Sequence, residues 1–183
     1  MKKNLLVVIA VIAASTLLHL KANAQDVATT GNVPVRIALS DVFAINLLNN
    51  QEVLFTYDDA AAYNASQTVN VADQFSITST KAYAISVRAE AQWSTLPDND
   101  EPLALSILQV SVTGTTLPAA AATFAAPAPL DDAEQTPLVL ATGGVPALGT
   151  LYSTRYTIPS ALSLLNKTAG DYTTNLTYTI TAQ

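Results

Sequence analysis

The 183-residue sequence has no cysteine, one histidine (His19) and one tryptophan (Trp93), and only 12% of its residues are charged. Without cysteine there is no disulfide, no thiolate nucleophile and no zinc site built on sulfur. A lipid-anchored N-terminus of the lipoprotein kind is excluded for the same reason. His19 lies in a segment expected to be removed, so the remainder lacks imidazole too, which closes off Ser-His-Asp and Cys-His catalysis and an imidazole general base. Basic residues are also scarce, eight Lys and Arg against fourteen Asp and Glu. Binding phosphates needs a basic stripe, and none is present, so nucleic acid is not expected as a partner.

What is present begins with MKKNLLVVIAVIAASTLLHLKANAQ. Two lysines, an apolar run from Leu5 to Leu18 and the small-x-small triplet Ala22-Asn23-Ala24 make the pattern of a secretory signal peptide. The run is shorter than the roughly 20 apolar residues that span a bilayer. Residues 1–24 are therefore expected to be a cleaved signal peptide and residues 25–183 a single exported domain, in the periplasm, at the cell surface or outside the cell. No later stretch is apolar and long enough to suggest a membrane span. Five basic residues (Arg36, Lys81, Arg88, Arg155, Lys167) remain beside fourteen acidic ones, which leaves a formal charge of −9. Such acidity favours solubility.

Period-two alternation recurs along the chain while the helical period is weak. VPVRIAL (33–39) sets Val33, Val35, Ile37 and Leu39 against Pro34, Arg36 and Ala38. VFAINL (42–47) and EVLFTY (52–57) follow, with a hairpin turn expected at 48–51. QFSITST (74–80), YAISVRAE (83–90), LALSILQVSVTG (103–114), LVLAT (138–142) and TLYSTRYTI (150–158) read as further strands. The parity shift near Ile107-Leu108 suggests a β-bulge. The Ala/Pro-rich stretch 117–137 is expected to be an excursion with neither a helix nor a central strand, because its prolines remove backbone donors. Pro159 and Gly170 bracket room for a turn or two of helix. The fold class expected is all-β, a single Ig-like antiparallel β-sandwich.

The segment AGDYTTNLTYTITAQ alternates Tyr172, Leu176, Tyr178, Ile180 and Ala182 against a hydroxyl-rich face. With the stretch VNVADQFSITSTKAYAISVRAEAQW, it resembles bacterial pilin-type subunits, including the spore-coat-U-like and related fimbrial families. That resemblance implies a sandwich whose last strand borders a groove filled by a neighbour's N-terminal segment. Many such subunits carry a disulfide, and this chain does not. QDVATTGN (25–32) offers little apolar alternation, so either the donor segment begins with VPVRIAL or the protein does not polymerise in this manner. A second resemblance is to wall-binding domains with a Gly-x-Tyr strand and a Trp-x-Leu motif; Trp93-Ser94-Thr95-Leu96 is one residue longer than that motif.

Three groups of residues are candidates for chemistry. Asp98, Asp100 and Glu101 are three carboxylates within four residues and could hold Ca²⁺ through oxygen ligands, with a solvated acidic loop as the alternative. The pairs Asp58-Asp59 and Asp131-Asp132, the latter with Glu134, read as loop solubilisers. Trp93, with Tyr57 and Tyr63, could stack on a sugar, or cap the core instead. A glycosidase needs two facing carboxylates, but Glu90 sits beside Arg88 on one strand parity, where a surface ion pair accounts for it. Neither catalysis nor an organic cofactor is expected. Two functions remain: a structural or adhesive surface subunit that joins other surface subunits or itself by strand addition, and a self-contained polysaccharide-binding or cell-wall-binding module.

Overall fold

The structure is a computed structural model that describes residues 33–94, 103–116, 122–132, 136–159, 164, 165 and 167–183. The expected signal peptide and the candidate calcium ligands Asp98, Asp100 and Glu101 lie outside the described residues. The chain divides into two units at Ala38 and Leu39. Residues 33–38 of the first unit carry no helix or strand, so the expected strand over 33–39 does not form. Their apolar side chains are largely exposed, Val33 at 79%, Val35 at 84% and Ile37 at 80%.

The second unit is a β-sandwich. Its strands are β1 (Phe43–Leu47), β2 (Gln67–Ser79), β3 (Tyr83–Ala89), β4 (Gln109–Thr116), β5 (Thr123–Phe124), β6 (Ala128–Pro129), β7 (Leu138–Gly144), β8 (Ala147–Ile158) and β9 (Leu176–Ala182). One sheet has the order β1-β2-β8-β4-β6 and the other β5-β7-β3-β9, and every pairing is antiparallel. Among the described residues one short α-helix, α1 (Ala60–Asn64), is capped by the Asp59 carboxylate, which accepts from the Ala62 amide at 2.7 Å. The expected all-β sandwich is present.

Alternation explains which faces meet. Phe75 and Ile77 from β2, Tyr83, Ile85 and Val87 from β3, Val110 from β4, Leu140 from β7 and Tyr152 and Tyr156 from β8 are buried in one core. Each such side chain contributes roughly 1.5–3 kcal/mol when fully removed from water. In β2 the parity breaks: the register against β8 shifts between Val71 and Phe75, and Asp73 takes φ 46. Asp is among the few residues with a side chain that tolerate the left-handed region. The bulge lets Gln74 and Phe75, although consecutive, both face inward.

The structure corrects several local expectations. Residues 52–57 form no strand, yet Val53, Phe55 and Tyr57 pack against the core with Glu52, Leu54 and Thr56 outside. Alternation was real there, but no ladder partner accompanies it. No hairpin turn closes at 48–51; the Leu48 and Asn49 amides both donate to the Gln74 carbonyl, at 2.9 and 3.1 Å, and extend the contact with β2. The parity shift at Ile107-Leu108 is a 3₁₀ turn, Leu105–Ile107, and not a bulge. A register shift does occur in β4, between Val112 and Gly114.

Candidate functional site

The seven-strand immunoglobulin arrangement has strands A-B-E-D in one sheet and C-F-G in the other. Here β1-β2-β8-β4 occupy the first order, and β3 and β9 stand at C and F. Among the described residues no strand stands at G, so β9 is a sheet edge. Facing it is β1, the edge of the other sheet. Between the two edges lies a cleft of about 400 Å³ lined by Ile45, Asn46 and Leu47 from β1, Leu176, Thr177 and Tyr178 from β9, and Glu90.

The backbone of β9 is oriented toward this cleft in a definite pattern. The Gln183 amide donates to the Ala82 carbonyl and the Asn175 carbonyl accepts from the Glu90 amide, at 2.9 and 2.8 Å. In an antiparallel ladder both polar groups of a residue point the same way, and residues alternate. Odd-numbered residues of β9 therefore bond to β3. Those of Tyr178 and Ile180 point to the open edge, where no described backbone group meets them.

The floor of the cleft is fixed by a buried polar chain. The Tyr178 hydroxyl lies 2.5 Å from that of Tyr156, and Tyr156 donates to Gln74 Oε1 at 2.6 Å. Thr154 Oγ1 donates to the same Gln74 oxygen. The Tyr178 ring also rests on Phe75, with centroids 5.1 Å apart. Burial and then the neighbouring Tyr156 push the Tyr178 phenol well above its ordinary pKa. Nearer β7, the Tyr83 and Tyr152 hydroxyls pair at 2.6 Å, and burial, then that bond, push Tyr152 up as well.

At the mouth, Glu90 Oε1 accepts from Thr177 Oγ1 at 2.5 Å. The carboxylate thus leans across β9 toward the open edge. The expected ion pair with Arg88 does not form; among the described residues the ion pair that does is Lys81 with Asp41, at 3.5 Å on the surface.

The candidates from sequence fall elsewhere. Trp93 packs against the core, and its indole N–H donates to the Ala104 carbonyl at 3.1 Å. Tyr57 and Tyr63 come together, with ring centroids 5.2 Å apart. Asp132 Oδ1 accepts from the Ser106 amide at 2.7 Å and Asp131 Oδ2 from the Thr136 amide at 3.1 Å, so both tie loops to the fold. Among the described residues no group of three acidic or histidine side chains is placed to hold a metal ion. No described helix is long and apolar enough to cross a membrane. Sequence reasoning missed Glu90 as a cleft residue; the signal lay in its position at the end of β3, where the outer face passes beside β9.

The chain matches no model of a known protein family, and no curated protein is similar to it at a significant level.

Proposed function

We propose that the protein is an exported, non-catalytic surface subunit, fimbrial or pilin-like in kind, that joins its neighbours by strand addition. The observation that carries this reading is the edge of β9, with a cleft beside it that mixes apolar Ile45, Leu47, Leu176 and Tyr178 with polar Asn46, Thr177 and Glu90, and backbone donors of Tyr178 and Ile180 directed outward. Such an edge is a template for a further strand, which proteins otherwise cover or blunt. The matching feature is the segment 33–39, whose Val33, Val35, Ile37 and Leu39 are exposed at 79–90% on one parity. Exposed apolar side chains in a regular row are costly in water and are relieved by burial against an apolar partner.

Strand addition asks for a donor with period-two apolar residues and an acceptor with a free edge. Both are available on this chain. The polysaccharide-binding alternative rests on Trp93, whose ring and N–H are already engaged within the fold.

The test is light scattering of the exported protein across concentration, with electron micrographs of the same samples, for the wild type and for Val35→Asp with Ile37→Asp. Ordered oligomers or fibres that vanish in the variant, while circular dichroism and the unfolding midpoint stay unchanged, are expected. A sharp monomer at every concentration, without a partner, overturns self-assembly.

A further inference from the structure

We infer that Glu90 at the mouth of the cleft receives Arg36 of a second copy of this chain, and that this contact sets which segment docks and in what register. The inference rests on the strand-addition reading above and adds the partner and the residue pair that selects it.

Parity places both groups on one face. Leu176, Tyr178, Ile180 and Ala182 share the parity of β9 that continues the apolar row, and Thr177, Thr179 and Thr181 share the other. Glu90 bonds to Thr177 and so belongs to the threonine face. A segment that lays Val33, Val35, Ile37 and Leu39 beside the apolar row presents Pro34, Arg36 and Ala38 on the threonine face. Arg36 then stands opposite Thr177 or Thr179. Neighbouring strands are roughly 4.8 Å apart and diagonal neighbours roughly 7–8 Å. Because the Glu90 carboxylate already leans over Thr177, a guanidinium on the adjoining strand spans that distance from either position.

Charge completes the argument. Thr177 occupies one oxygen of Glu90, and no cation pairs with the carboxylate among the described residues. Arg36 has no carboxylate partner among them either. It is also the one cationic residue between positions 22 and 80 of the sequence, in a chain whose acidic residues outnumber its basic ones. Two copies of an acidic protein repel at low salt, and a cation aimed at the partner's anion offsets that repulsion at the joint. A different apolar strand of this chain, such as Val42–Leu47, brings no positive charge and gains nothing from Glu90. Glu90 thereby favours the segment 33–39 over an uncharged stretch, while the alternating stretches that carry Arg88 and Arg155 are already paired on both sides within β3 and β8.

The test uses assembly of the exported full chain, read by light scattering as a function of concentration and of sodium chloride. Arg36→Glu alone and Glu90→Arg alone are each expected to raise the concentration for half-assembly roughly tenfold or more, since like charges at an interface repel. Equimolar mixing of these two proteins is expected to restore assembly, because each chain then finds an opposite charge only on the other variant. Glu90→Gln keeps an acceptor for Thr177 and guards against misfolding; it is expected to weaken assembly severalfold and to flatten its salt dependence. If Glu90→Gln and Arg36→Gln both assemble like the wild type with the same salt curve, the pairing is overturned while strand addition stands. If the wild type stays monomeric throughout, strand addition falls and the pairing with it.

Discussion

The hydroxyls of Tyr156 and Tyr178 lie 2.5 Å apart across the sandwich and join β8 of one sheet to β9 of the other. Tyr156 donates its proton to Gln74, so it must accept from Tyr178. Replacing Tyr156 by Phe strands the Tyr178 hydroxyl and leaves Gln74 with Thr154 alone, at a cost of about 1–3 kcal/mol. Tyr178→Phe removes only the outer donor and costs about 1 kcal/mol or less. Urea unfolding should rank the wild type above Tyr178→Phe and Tyr178→Phe above Tyr156→Phe; equal losses would mean the chain of bonds does not run in this order.

Thr150 poses the opposite case. Its side chain is fully buried, paired in register with Ile77, and its Oγ1 has no hydrogen-bond partner among the described residues. A buried hydroxyl without a partner keeps its desolvation cost and returns nothing. Thr150→Val, close in shape, is expected to stabilise the protein by about 1 kcal/mol in the same urea measurement. A loss of stability would show that the hydroxyl is bonded.

High pH should expose the buried phenols. Tyr152 and Tyr178 have folded pKa values raised above the unfolded value of about 10, chiefly by burial. The folded state therefore holds these protons where the unfolded state has released them. Their contribution is fully present below about pH 10 and is lost as the pH rises beyond it, by about 2.7 kcal/mol per pH unit for the two together. Urea midpoints taken through this range, alongside the tyrosinate absorbance, check the slope. Tyr178→Phe should lower it by about 1.4 kcal/mol per pH unit, and an unchanged slope would remove Tyr178 from the account.

Much of the sandwich was legible because alternation survives wherever one face is buried. TLYSTRYTI lies inside β8, YAISVRAE covers β3 and runs one residue past it to Glu90, and Tyr152 and Tyr156 sit in the core as their parity requires. What alternation does not encode is whether a partner strand is present. VPVRIAL and EVLFTY alternate as well as any strand, yet the first is exposed and the second packs without a ladder. The first half of β2 was missed because Asn70, Asp73 and Gln74 interrupt the apolar rhythm, and the bulge that turns Gln74 inward is a tertiary matter. Glu90 was placed on its strand's outer parity, but the pull of Thr177 from β9 needs the three-dimensional register.

The open edge of β9 makes a prediction that bears on function at the level of single amides. Odd-numbered residues of β9 bond to β3, so the amides of Thr177, Thr179 and Thr181 should be strongly protected from hydrogen exchange in the isolated protein. Those of Tyr178 and Ile180 face the edge and should exchange orders of magnitude faster, despite lying in the same strand. A peptide spanning residues 33–39, added in excess, supplies the missing backbone acceptors if it docks as a strand. Protection should then rise at Tyr178 and Ile180 and stay level at the odd residues. A peptide with Val35→Asp and Ile37→Asp should leave the pattern unchanged, because its side chains no longer suit the apolar row. Fast exchange at both parities in the monomer, held below its assembly concentration, would mean that β9 frays from β3, and uniform slow exchange in that monomer would mean that the edge is covered within the chain itself; either result removes the acceptor site on which strand addition depends.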